Sequence, residues 1–218
     1  MQKILFIFLN LSFFIGCTSN SIEKTCAEGN CIDGYGKEFY SNGGSYEGNF
    51  KNGEKHGYGV YTFNNGNKYK GNWKNAEKHG YGVFKWNSGE KYEGNYLNDK
   101  INGKGTFYFP NGDRYVGDFQ NGYRHGQGKY FFNDGTTYTG SWKNGNKDGH
   151  GTHYYSNGVY TGDFLKDVRH GQGTYRFFDN GNKYIGSWKN GQQHGYGKFI
   201  DKYGILIEEG IYENGKKK

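Results

Sequence analysis

Tyr46-Glu47-Gly48-Asn49-Phe50-Lys51-Asn52-Gly53-Glu54-Lys55-His56-Gly57-Tyr58-Gly59-Val60-Tyr61-Thr62-Phe63 is the stretch that decides how this 218-residue chain folds. Side chains alternate along an extended backbone, so the spacing puts Tyr46, Gly48 and Phe50 on one face of a strand. Asn52-Gly53 supplies the positive φ angles of a tight hairpin turn. His56 to Phe63 reads as the return strand, with Gly57, Gly59, Tyr61 and Phe63 sharing a face. A second Asn-Gly pair, Asn65-Gly66, turns the chain towards Tyr69. The stretch is one β-hairpin joined to the next by another turn.

The unit recurs. Equivalent tyrosines stand at Tyr46, Tyr69, Tyr92, Tyr115, Tyr138, Tyr160 and Tyr184, in steps of 23, 23, 23, 23, 22 and 24 residues. A period of this size marks a tandem array of one supersecondary unit. The aromatic at Phe50 returns as Trp73, Tyr96, Phe119, Trp142, Phe164 and Trp188, and Gly48 returns as Gly71, Gly94, Gly117, Gly140, Gly162 and Gly186. Interior glycine weakens a strand, so its recurrence needs a packing reason. The expected reason is that rings lie flat over the backbone at Gly48, Gly57, Gly59 and their copies.

Composition agrees with a thin core. There are 40 glycines and one proline, aromatics make up 20% and all hydrophobics only 33%. Abundant Tyr, Phe and Trp favour strands, and glycine without proline is unlike collagen or Pro/Gly-rich disorder. The net charge of +7 and pI near 9.0 are modest and spread out, apart from Lys216-Lys217-Lys218. With no helical basic segment and no nucleic-acid motif, no nucleic-acid partner is expected.

Tyr69-x-Gly71-x-Trp73-x-Asn75 followed by His79-Gly80-x-Gly82 resembles the MORN repeat (membrane occupation and recognition nexus). So do Tyr138-x-Gly140-x-Trp142-x-Asn144-Gly145 and Tyr184-x-Gly186-x-Trp188-x-Asn190-Gly191. The resemblance implies an all-β fold: an elongated, twisted antiparallel sheet of tandem stacked hairpins. It also implies scaffolding, dimerisation and attachment at membranes. The array is expected over 31–215, with a half-repeat cap at 31–45, full repeats at 46–207 and a variant cap at 208–215, before a basic tail at 216–218. The more aliphatic Tyr203 to Lys216 stretch resembles a variant unit of bacterial repeat proteins, some of them antitoxin-like.

The first residues form a separate device. Lys3 precedes an apolar run, Ile4 to Ile15, that ends in the small residue Gly16. That is the pattern of a secretory signal peptide over 1–16, and it is shorter than the roughly 20 residues a spanning helix needs. Phe14-Ile15-Gly16-Cys17 resembles the lipobox of bacterial lipoproteins, although an aliphatic residue usually stands where Phe14 is. The resemblance implies cleavage before Cys17 and acylation of that cysteine. Residues 17–30 are expected to carry the lipid and act as a tether. In an exported chain disulfides persist, so Cys26 and Cys31 are candidates for a small disulfide loop.

Histidine precedes the Gly-x-Gly at His56, His79, His125, His170 and His194. Strands about 4.8 Å apart separate copies by roughly 10 Å, too far to share one metal ion, so no metal or cofactor is expected. A basic residue stands before this slot in five units. Lys51, Lys55, Lys74, Lys78, Arg124, Lys143, Lys147, Arg169 and Lys189 are therefore read as one candidate binding edge. No nucleophile and base converge in the pattern, so no catalysis is expected. The expected function is a lipid-anchored envelope scaffold that binds an unknown protein partner. The alternatives are a module for anionic membrane lipid or wall polymer, using the basic edge and aromatic face, and an antitoxin-like protein.

Overall fold

A computed structural model describes residues 22–218. The signal segment 1–16 and Cys17 lie outside the described residues. The chain forms β1 (Lys24–Gly29), β2 (Gly34–Tyr40), β3 (Ser45–Lys51), β4 (Glu54–Thr62), β5 (Lys68–Lys74) and β6 (Glu77–Lys85). Then come β7 (Lys91–Leu97), β8 (Lys100–Tyr108), β9 (Arg114–Gln120), β10 (Tyr123–Phe131), β11 (Thr137–Lys143) and β12 (Asn146–Tyr155). The last are β13 (Gly158–Leu165), β14 (Val168–Phe177), β15 (Lys183–Lys189), β16 (Gln192–Ile200), β17 (Leu206–Glu213) and β18 (Lys216–Lys217). Each strand pairs antiparallel with the next, from β1–β2 through β17–β18, so the sheet is one open run of consecutive hairpins.

One glycine track crosses the strands. Gly36, Gly48, Gly59, Gly71, Gly82 and Gly94 pair successively, and the track continues through Gly140 and Gly151 to Gly197 and Gly210. The ring of Tyr46 covers it: a Cβ on Gly59 would lie within 2.5 Å of three atoms of that side chain, and one on Gly48 would lie 2.4 Å from the Gly59 Cα. The Tyr46 hydroxyl, having crossed the track, donates to the Asn49 carbonyl at 2.9 Å. Tyr69, Tyr92, Tyr115, Tyr138, Tyr160 and Tyr184 do the same three residues on.

Gly57 and its copies are not under rings, contrary to the sequence expectation. The β3–β4 register runs from Gly48↔Gly59 directly to Phe50↔Lys55, so Asn49 alone faces His56, Gly57 and Tyr58. Gly57 adopts φ 62° in this bulge, and a Cβ there would meet the Asn49 side chain instead. The Asn49 amide donates to the Tyr58 carbonyl at 3.1 Å and closes the bulge.

The ends also differ from the expected boundaries. Part of the stretch assigned to a tether is strand β1, which pairs with β2 through Lys24↔Tyr40 to Gly29↔Gly36. Its side chains are all exposed, so backbone pairing holds it in place, together with the Cys26–Cys31 disulfide. At the far end β17 begins at Leu206 and straddles the boundary drawn at 207/208.

The two-residue turns are zipped together. Gly53, Ala76, Asp99, Gly122, Gly145, Asp167, Gly191 and Gly215 each donate their N–H to a carbonyl one unit earlier, such as Ala76 N to Lys55 O at 2.9 Å. All lie at positive φ, and at Ala76 (φ 66°) this is strained. Ala76→Gly keeps the N–H and relieves the strain, so it should stabilise the protein by about 1 kcal/mol. Chemical denaturation of the two proteins measures this, and an unchanged or lowered midpoint would show that the turn tolerates alanine freely.

Candidate functional site

Two rows of rings run along one face of the sheet. The first alternates the tyrosines with the aromatics at the Phe50 position, edge to face: Tyr46–Phe50 at 5.1 Å, Tyr46–Trp73 at 5.5 Å, Tyr69–Trp73 at 5.0 Å and Tyr69–Tyr96 at 5.2 Å. The pattern reaches Tyr184–Trp188 at 5.2 Å and Tyr184–Tyr212 at 5.3 Å. Such geometry adds roughly 0.5–1.5 kcal/mol per pair beyond area burial. The seven tyrosines are fully buried, and burial raises their phenol pKa values, so they stay neutral donors. Trp73, Trp142 and Trp188 each donate Nε1–H to a track carbonyl, at 3.3, 3.2 and 3.1 Å.

The second row is only partly covered. Tyr61, Phe63, Phe84, Trp86, Phe107, Phe109, Tyr130 and Phe132 succeed one another with ring centroids 4.4–5.7 Å apart. His153 continues it, stacked between Phe132 at 5.4 Å and Tyr155 at 3.9 Å, and Tyr175, Phe177 and Phe199 complete it.

The nine cations of the expected edge fall into two sets on opposite faces. Lys55 pairs with Phe50 across the strands and lies on the ring face. Lys51, next to Phe50, points to the other face and is exposed, as are Lys74, Lys143 and Lys189. The two-residue turn causes the division, because it pairs Lys51 with Glu54 and Lys55 with Phe50, and successive pairs of a ladder face opposite sides. Lys55 Nζ sits 4.9 Å from the Trp73 ring centroid and 5.0 Å from Tyr61. Lys78 lies over Tyr69 and Phe84, and Lys147 lies over Tyr138 and Phe164, 5.5 Å from each. Arg124 and Arg169 stack over Trp142 and Trp188, both at 4.4 Å. All five are half-buried. Burial lowers the Lys55 and Lys147 pKa values, although Asp99 beside Lys55 and Asp167 beside Lys147 partly oppose this. Ile101 and Gln193 take the slot in the remaining two units.

Two hollows open beside these cations at equivalent places near the two ends. One, of about 330 Å³, is lined by Lys55, Tyr61, Tyr40 and Glu38. The other, of about 300 Å³, is lined by Arg169, Tyr175, Phe177 and Trp188. Among the described residues no three His, Cys, Asp or Glu side chains converge as a metal site would require. The arrangement can offer flat apolar contact and positive charge together, in copies along a line. Sequence reasoning missed the second ring row as a surface. Its signal was an aromatic six residues after each slot cation.

A protein-family model described as MORN repeat matches residues 32–45, 46–68, 69–91, 92–114, 115–137, 138–159, 160–182 and 184–202. No curated protein matches the chain. Among solved structures, the chain is similar to the TCP10 domain of Danio rerio CPAP in complex with a peptide of Danio rerio STIL. The identity is 14% and the TM-score 0.48, covering 87% of this chain and 100% of that one. It is also similar to the SAS-4 (dCPAP) TCP domain of Drosophila melanogaster in complex with a proline rich motif of Ana2 (dSTIL), at 13% identity and TM-score 0.45, covering 72% and 84%.

Proposed function

Because the chain belongs to the MORN-repeat family, a family of interaction scaffolds, we propose that it is a non-enzymatic, lipid-anchored scaffold of a bacterial cell envelope that holds a protein partner on its ring face. The observation that carries this reading is the half-covered second row of rings, flanked by half-buried cations. Interfaces favour that pairing, because aromatic and Arg side chains dominate binding energy when they are well packed. The anchor rests on the apolar run ending in Gly16-Cys17. Acyl chains add roughly 0.8 kcal/mol per buried CH2, and stable attachment takes two such signals.

One experiment in cells tests both parts. A photo-crosslinking residue at Phe109, on the ring row, should give a discrete protein adduct, and the same residue at Glu47, on the opposite face, should not. With Cys17→Ser the adduct should move from the membrane to the soluble exported fraction. Adducts of equal yield from both positions would reject the ring face. Retention of the Cys17→Ser chain on membranes in high salt would reject the anchor.

A further inference from the structure

Three successive slot cations, Arg124, Lys147 and Arg169, make no direct ion pair among the described residues, whereas their predecessor does. Lys78 is ion-paired with Asp99 at 3.1 Å. The Arg124 and Arg169 guanidinium groups donate to the carbonyls of Gly145 and Gly191, at 2.6 and 2.7 Å. Lys147 makes no ion pair, and Asp167 is engaged by the Lys147 backbone N–H at 2.9 Å. Ile101 before this group and Gln193 after it carry no charge, so the three form a bounded line. Recessing cations beside rings without a counter-charge is costly. Burial holds the Lys147 pKa below the ordinary lysine value, and the charge of Asp167 only partly opposes it.

Spacing then selects the occupant. Equivalent residues of adjacent units are two strands apart, roughly 10 Å. Three residues of a β-strand advance about 10 Å but send the side chain to the opposite face. Three residues of polyproline II advance about 9 Å and return to the same side of the helix. In that helix a repeat of two or four residues misses each cation by roughly 3 Å and turns the carboxylate to another side. Between the cations Phe132 and Tyr155 stay partly exposed, packed on the buried Tyr130 and His153, and offer contact to proline or aliphatic residues between the acids. Building on the ring-face reading above, we propose that Arg124, Lys147 and Arg169 hold a peptide segment in the polyproline II conformation that bears a carboxylate at every third residue.

The test uses the full chain with Cys17→Ser and fluorescent peptides of Glu, Pro and Ala, measured by anisotropy. A peptide with Glu at every third position should bind at least tenfold more tightly than one of the same composition with Glu at every second or every fourth. Arg124→Gln and Arg169→Gln should each weaken binding about tenfold. Arg124→Lys, which keeps the charge and controls for folding, should stay within about threefold, and Lys51→Gln on the opposite face should change nothing. Indifference to Glu spacing would overturn the proposal and leave the crosslinking result at Phe109 standing. Binding of this chain to phosphatidylglycerol vesicles in place of the peptide, lost in Arg124→Gln, would overturn it in favour of a lipid surface.

Discussion

Gly140→Val is expected to destabilise its repeat by about 3 kcal/mol, at the upper end of overpacking costs, although valine is the better strand former. A Cβ at this position would lie 2.5 Å from the Gly151 Cα, 2.7 Å from the His150 carbonyl oxygen and 2.6 Å from the Tyr138 hydroxyl. The first two atoms are backbone, and Gly140 is paired on both sides, to Gly128 and to Gly151, so the sheet cannot open there without losing a ladder. The third belongs to a ring fixed at several points. Tyr138 donates to the Ser141 carbonyl at 3.0 Å and packs edge-on against Trp142 and Phe164, at 5.2 and 5.1 Å. In a quasi-one-dimensional array the loss should fall on one unit and its neighbours. Hydrogen exchange should accelerate between roughly Tyr115 and Tyr160 and stay unchanged near Tyr46. Thr139→Val, one residue away on the exposed side, is the control. If Gly140→Val costs no more than Thr139→Val, the rings do not need the glycine track.

The fold was legible because its two requirements are rare in composition and strict in position. Only glycine fits beneath Tyr46 at Gly48 and Gly59, and only residues tolerant of positive φ fit at Asn52-Gly53, so both leave a fixed letter in every unit. The bulge was not legible. Simple alternation assigns Gly57 to the ring face, whereas the extra residues opposite Asn49 turn it away. The expected cationic edge divides for another reason: the two-residue turn pairs Lys51 with Glu54 and Lys55 with Phe50, which puts the two lysines on opposite faces. The second ring row escaped notice because packing there asks only for a flat ring. Tyr61, Phe84, Phe107, Tyr130, His153, Tyr175 and Phe199 fill equivalent places without a common letter. Strand β1 gave no alternation to read, since its side chains are all exposed and it is held by backbone pairing and the disulfide.

The one imidazole in that row makes its unit acid-sensitive. His153 is 5% exposed, and its Nδ1 is buried without a hydrogen-bond partner. Burial first, then the positive charges of Lys147 and Arg169, lower its pKa from 6.5 to about 4, and Asp134 only partly opposes them. The folded state therefore holds the neutral ring more firmly than the unfolded chain does. The resulting stability is fully present above pH 6.5 and is lost as pH falls from there to about 4, where the folded state also takes the proton. At about 1.4 kcal/mol per pKa unit, the loss amounts to roughly 3 kcal/mol. His153→Phe keeps a flat ring between Phe132 and Tyr155 and removes the titration. Denaturation midpoints at pH 7.5 and pH 4 should fall less for the variant than for the parent, by an amount worth about 2–3 kcal/mol. Carboxylates that titrate in the same range affect both proteins alike and cancel in the difference. In the parent, exchange between Tyr138 and Tyr175 should be the first to accelerate on acidification. Equal pH dependence in the two proteins would mean that the imidazole is already solvated in the folded state, and that the ring row is open to water at its centre.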